Sequence, residues 1–346
     1  MFENKENRTE LSELGEFGLI DHLAKHIGLS HPSTLKGIGD DAAVIDQGNG
    51  QVTLVTTDML TEGVHFDLGY VPLKHLGYKA ISVNLSDICA MNGRPAQVVV
   101  GLGLSNRFSL EAVEELYAGM KLACERYNVD LVGGDTTTSR AGLVLSITAI
   151  GTAAKNKVAY RSGAQENDII ILSGDLGGAY MGLQLLEREK EVFKANPSAQ
   201  PDLEGFDYIL ERQLKPEPRL DIVELLDSLG IIPTSMIDVS DGLASEILHI
   251  CKQSGYGADL YIEKIPLDPM TISTADAFNL EPVTCGMSGG EDYELLFTIK
   301  ASDFEKLQNN PLITPIGHIT GKGERARLIT PQKEAIEITA QGWKHF

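Results

Sequence analysis

With 346 residues, 42% hydrophobic and 23% charged, the chain is long enough for two packed units and too evenly composed for disorder beyond its ends. Forty-nine acidic against 29 basic side chains give a formal net charge of −20, which argues against nucleic acid and anionic membranes as partners. The same charge repels a polyanion such as ATP, so a phosphate-binding role for this chain requires intervening cations.

Residues 1–14 read as a flexible start, without the cationic and apolar segments of a signal peptide. Since no apolar run reaches the roughly 18 residues of a spanning helix, a cytoplasmic protein is expected. Phe17–Ile27 predicts a short helix and Gln51–Thr57 a strand whose end delivers Asp58 into a loop. Leu73–Met91 carries helical periodicity, stopped by Asn92, Gly93 and Pro95. Ala96–Leu104 predicts a strand, Ser109 caps a helix to about Tyr127, and Val129–Val132 is a strand ending in Gly133-Gly134-Asp135. Leu143–Ile150 is another strand. The polar, turn-rich Gly151–Asp168 predicts a boundary between residues 15–154 and residues 155–346.

In the second part, Ile169–Leu172 is a strand, and Gly174–Gly178 leads into a helix through about Lys190. Glu191–Asp207 reads as a solvated excursion. Pro218 suits the first turn of a helix to Leu229, and the strand Ser235–Ile237 runs into Asp238-Val-Ser-Asp241-Gly242 and a helix over Leu243–Gln253. Short strands at Leu260–Ile262, Leu295–Ile299 and Ile313–Ile316, and a helix near Asp303–Gln308, complete the pattern. The four cysteines, Cys89, Cys124, Cys251 and Cys285, form no Cys-x-x-Cys pair and are expected to be reduced and buried.

Five segments present aspartates at strand ends or in glycine-rich turns: Gly39-Asp40-Asp41, Thr56-Thr57-Asp58, Asn84-Leu-Ser-Asp87, Gly133-Gly134-Asp135 and Asp238-Val-Ser-Asp241. Magnesium takes hard oxygen ligands, typically one or two carboxylates with substrate phosphates and water. Each segment alone is read equally well as a turn or a helix cap. Asp87 is harder to explain so, because the C-terminal part of a helix disfavours an anion by about 0.3–1 kcal/mol. No Gly-x-x-x-x-Gly-Lys-Ser/Thr loop occurs. The Gly174–Gly178 loop could offer amides to a phosphate, and Arg161 could grip phosphate oxygens or lie on the surface.

In order, these segments resemble the thiamine-monophosphate kinases, within the superfamily of aminoimidazole ribonucleotide synthetase and selenophosphate synthetase. The resemblance runs from Gly15-Glu16-Phe17 through Gly37–Asp41, Gly63–Phe66, Tyr78-Lys79-Ala80, Asn84–Asp87 and Arg161–Ala164, then Ser288–Leu295 and Gly342-Trp343. It implies magnesium ligands at Asp41, Thr56, Thr57, Asp58, Asp87, Asp135, Asp238 and Asp241; Asp58, Asp87 and Asp135 are then expected to hold the ions that bridge the ATP phosphates, with Asp41 and Asp238 completing the cluster. It also implies ATP contacts at Gly134, Arg161 and Ser240, and thiamine contacts at His65, Glu291 and Trp343. Implied too are an α+β fold of two mixed domains, and a homodimer whose first domains close a β-barrel. The sequence departs from the family at Asn92, where glycine is usual, and in the length of Glu191–Asp207.

The expected reaction is direct in-line transfer from ATP to thiamine monophosphate, with no covalent enzyme intermediate. A selenophosphate synthetase is the nearest alternative, but it would carry a reactive residue near its amino terminus, and no cysteine precedes Cys89. A purine-pathway synthetase or a non-catalytic acidic nucleotide-binding module are the others.

Overall fold

The computed structural model describes residues 10–140 and 142–339; Trp343 lies outside them. The first helix, α1 (Leu11–Ala24), begins ahead of the expected Phe17 and inside the segment expected to be flexible. Glu13 in its first turn favours the helix start. Gly15, at φ 66°, kinks it.

The first sheet is built from β1 (Thr34–Lys36), β2 (Ala43–Asp46), β3 (Gln51–Thr61), β4 (Arg94–Leu104), β5 (Asp130–Thr138) and β6 (Val144–Ala154), in the order β1-β2-β3-β6-β4-β5. All its pairs are antiparallel except β4 with β5. Two helices, α2 (Leu73–Ala90) and α3 (Leu110–Tyr127), connect the strands. Alternation turns Leu54, Val100 and Ile147 into one core together with Leu76, Ile81 and Met120 of these helices. The two helices nearly touch: a Cβ added to Gly77 would stand 1.9 Å from the Leu116 carbonyl, and one on Gly119 would stand 1.8 Å from that of Lys74. Strand β5 is the sheet's edge, and all nine of its residues are exposed.

Two expectations fail here. Strand β3 continues to Thr61, paired with β6 throughout, so Asp58 lies inside a strand opposite Ile147. Likewise β5 continues through Gly133-Gly134-Asp135 to Thr138, because β4 supplies a parallel partner for every one of those residues.

The second sheet has the order β13-β12-β9-β11-β7-β10-β8. Its strands are β7 (Ile169–Ser173), β8 (Ser235–Asp238), β9 (Tyr256–Tyr261), β10 (Leu295–Ile299), β11 (Ile313–Lys322), β12 (Ala326–Ile329) and β13 (Ala335–Glu337). Around it lie α4 (Gly178–Ala195), α5 (Asp207–Leu214), α6 (Leu220–Leu229), α7 (Leu243–Ser254), α8 (Pro269–Ala277) and α9 (Pro282–Ser288). Helix α4 reaches five residues into the expected excursion, and the helix expected near Asp303 is a 3₁₀ turn, Ala301–Lys306. All four cysteines are buried free thiols. No helix among the described residues is long and apolar enough to cross a membrane.

Candidate active site

Helix α2 is buried almost all round, yet it carries Lys79, Asn84, Ser86 and Asp87. Buried polar groups need partners, and Asn84, Ser86 and Asp87 find theirs on strands of both sheets. The Asn84 side chain accepts from the Asp58 backbone N–H at 3.0 Å, at a point where β3 has outrun its β2 partner. Thr56, on the same face of β3 as Asp58, donates its hydroxyl to Asp87 Oδ2 at 2.5 Å. Ser86 donates to Asp238 Oδ2 at 2.6 Å, across 152 residues of sequence and from α2 to the end of β8 in the second sheet.

Carboxylate oxygens of Asp41, Asp87 and Asp238 lie within 4.8 Å of one another. Asp41 and Asp238 are buried. Burial, and then repulsion from Asp58, Asp238 and Asp41, pushes the Asp87 carboxyl well above the ordinary range. Burial likewise raises Asp41, Asp58 and Asp238. Arg161 offsets part of this by gripping Asp41 Oδ1 through Nε (3.0 Å) and Nη2 (2.6 Å). A site built from closely spaced carboxylates and a threonine hydroxyl, all hard oxygen donors, suits a small divalent cation.

The other expected residues are distributed around this cluster. Asp241 follows β8, and its N–H is held at 2.9 Å by Glu246 of α7, a buried carboxylate that sequence reasoning did not single out. Ser240 accepts from Glu291 N–H through its carbonyl at 2.7 Å. His65, just past β3, accepts from Thr61 N–H through Nδ1. Thr57 is exposed on the opposite face of β3 from Thr56 and bonds the Ile147 carbonyl. Asp135 is not brought into the cluster within this chain: β6 and β4 lie between its strand β5 and β3, a distance of three strand spacings, about 14 Å. Gly134, not Asp135, is in register with Asp58, which turns Asp135 to the other face.

Residues 39–153 match the AIR synthase related protein, N-terminal domain. The thiamine-monophosphate kinase of Aquifex aeolicus (strain VF5) is 34% identical over 338 residues, covering 97% of this chain and 99% of its own. That of Bacillus subtilis (strain 168) is 32% identical, covering 96% and 100%. The chain belongs to the thiamine-monophosphate kinase family. The solved structure of AaThiL complexed with AMPPCP and TMP is 33% identical and superposes with a TM-score of 0.82, covering 98% of this chain and all of that one.

This member of the thiamine-monophosphate kinase family does not offer the Gly174–Gly178 loop to a phosphate. Asp292 fills that helix start, accepting from Gly177 N–H at 2.7 Å and Ala179 N–H at 3.2 Å. Burial pushes the Asp292 carboxyl up to about 7 despite Arg212 beside it. Its neighbour Glu294 is held by Arg212 at 2.8 Å, by Arg219 and by Ser173. The turn between α9 and β10 is thereby anchored in a network of ion pairs, with Gly290 (φ 72°), Glu291 (φ 60°) and Tyr293 (φ 52°) all left-handed.

Proposed function

We infer that this chain transfers the terminal phosphate of ATP to thiamine monophosphate, giving ADP and thiamine diphosphate. An oxygen of the acceptor phosphate bonds to the γ-phosphorus as the bond to the β,γ-bridging oxygen breaks, and ADP leaves. The acceptor is already anionic at neutral pH, so no general base or covalent nucleophile is assigned. Family membership supports the reaction, and the convergence of Asp41, Asp87 and Asp238 from two separate units carries the assignment of the site.

Magnesium ions bound there would neutralise the negative charge that spreads over the transferred group. Asp41, Thr56, Asp58, Asp87, Asp238 and Asp241 are the ligands in this reading, with Thr57 contributing through its backbone. Arg161, already beside Asp41, grips a phosphate oxygen; Ser240 and Gly134 complete the nucleotide site. His65, Glu291 and Trp343 take the thiamine side. Residues 15–154 act as the unit binding metal and ATP, and residues 155–346 complete both substrate sites.

Asp135 enters this scheme through a second copy. The uncovered β5 edge is suited to a homodimer in which the first sheets close a barrel. There Asp135 of the partner subunit, with Gly134 of the partner subunit, would reach the opposing cluster. Incubation with ATP, magnesium and thiamine monophosphate, followed by chromatography, tests the activity. Thiamine diphosphate should accumulate in step with ADP. ADP release indifferent to thiamine monophosphate, or no turnover of bound nucleotide, would refute it.

A further inference from the structure

We propose that Lys79 is a positioning residue of the acceptor site, holding Glu291 so that one carboxylate oxygen is left for the thiamine substrate. This rests on the reading of Glu291 as a thiamine contact. Lysine ammonium groups ordinarily stay in water, at the end of a stem that lies over apolar surface. Lys79 is instead 4% exposed, in the middle of α2. Its Nζ donates to the Gln213 carbonyl at 3.0 Å and to Glu291 Oε2 at 3.1 Å. A buried cation with one counter-ion is a poor stabiliser compared with an apolar side chain of similar volume, so packing alone does not account for lysine here.

The far end of the pair is equally constrained. Glu291 has a left-handed backbone, rare for a residue with a side chain, and its N–H is fixed to Ser240 at 2.7 Å. Oε2 also accepts from Gln213 Nε2 at 3.0 Å, so two donors converge on one oxygen. Among the described residues Oε1 accepts no hydrogen bond, and the side chain remains 29% exposed. The Tyr293 phenol is pushed up by burial and then by the charges of Glu291, Asp58, Asp238 and Asp87. Lys79 and Asp87 stand eight residues apart on one helix, a rise of about 12 Å. Helix α2 therefore fixes the acceptor carboxylate and the phosphate-handling cluster relative to each other.

A double-mutant cycle in the full-length protein tests this, with Michaelis constants measured for both substrates. Lys79→Met should raise the constant for thiamine monophosphate roughly ten- to hundredfold and leave that for ATP within about twofold. Glu291→Gln should act in the same direction, and the double variant should be no worse than Glu291→Gln alone. Gln213→Met, which removes the second donor and keeps the cation, should raise the acceptor constant several-fold.

Losses that multiply in the double variant would overturn the proposal, showing that Lys79 acts on a substrate directly or on the fold. So would equal loss of both substrates in Lys79→Met. A weakened acceptor in Glu291→Gln with a normal one in Lys79→Met would refute Lys79 alone. A normal acceptor constant in Glu291→Gln would remove Glu291 from the site and the proposal with it. If Lys79→Met does not fold, Gln213→Met decides, and an unchanged acceptor constant there overturns the positioning role.

Discussion

Replacing Asp87 with asparagine should stabilise the metal-free protein while abolishing turnover. Carboxylates within 4.8 Å of one another repel by at least about 3.5 kcal/mol per ionised pair at an effective dielectric of about 20. Asp87 takes part in two such pairs, about 7 kcal/mol if all three groups are charged. Keeping one proton on the cluster at pH 7, against an ordinary carboxyl pKa near 3.9, costs only about 4 kcal/mol. Protonation is therefore the cheaper state, and about 4 kcal/mol is the ceiling on what the substitution relieves; Arg161 on Asp41 lowers it further.

The sign follows from linkage. The folded Asp87 carboxyl titrates well above its unfolded value, so the unfolded chain loses its proton first and stability falls as pH rises above about 4. The advantage of Asp87→Asn should thus be absent near pH 4 and grow by up to about 1.4 kcal/mol per pH unit until the folded group ionises. Urea unfolding in chelator at pH 5, 6 and 7, repeated with magnesium, is the assay. Magnesium should stabilise the native protein more than the variant. If wild type is the more stable protein in chelator at pH 7, Asp87 is not under electrostatic strain and the cluster argument fails.

Chelation should stop ADP formation and magnesium restore it, because a −20 chain otherwise repels the triphosphate; undiminished turnover in excess chelator would contradict this. Asp58→Asn should lower kcat by at least about a hundredfold with an unchanged circular dichroism spectrum, and a near-normal rate would reduce Asp58 to a structural residue. Trp343→Ala should raise the Michaelis constant for thiamine monophosphate about 2- to 30-fold, if its indole covers the thiazolium cation. Lower thermal stability with an unaltered constant would make it a C-terminal anchor. Gly119→Ala should destabilise by about 1–3 kcal/mol or more, since its Cβ would stand 1.8 Å from the Lys74 carbonyl; an unchanged melting temperature would show that the helices can part.

Local chemistry made some elements plain before the fold was seen. Ser109 does cap α3, accepting from Ala112 N–H, and Asn128 closes it in the left-handed conformation. The α2 periodicity located that helix to within a residue. Pro269 and Pro282 could have located α8 and α9, because each stands in the first turn behind an acidic cap, Asp268 and Glu281. Strand ends were less legible: whether β3 stops at Thr57 or Thr61 depends on β6, which lies some 90 residues further along the chain. The aspartates stood out as a set and by resemblance, although Asp58 and Asp135 lie inside strands and not in the turns expected for them, and their partners were not legible. Nothing in the spacing of Asn84 or Ser86 says that one holds the Asp58 backbone and the other Asp238. Lys79 lies in the Tyr78-Lys79-Ala80 stretch that resembles the family, yet its role is not legible there, because its counter-ion is 212 residues away.

Asp292 at the start of α4 has a kinetic consequence. A helix start occupied by a carboxylate of the protein itself lends no positive field to an incoming nucleotide. Approach is then governed by like charges. In proteins that draw phosphates in with cationic clefts, added monovalent salt slows association; here it should shield the repulsion and speed the first encounter with nucleotide, within a Debye length that shrinks from about 30 Å at 0.01 M to about 10 Å at 0.1 M.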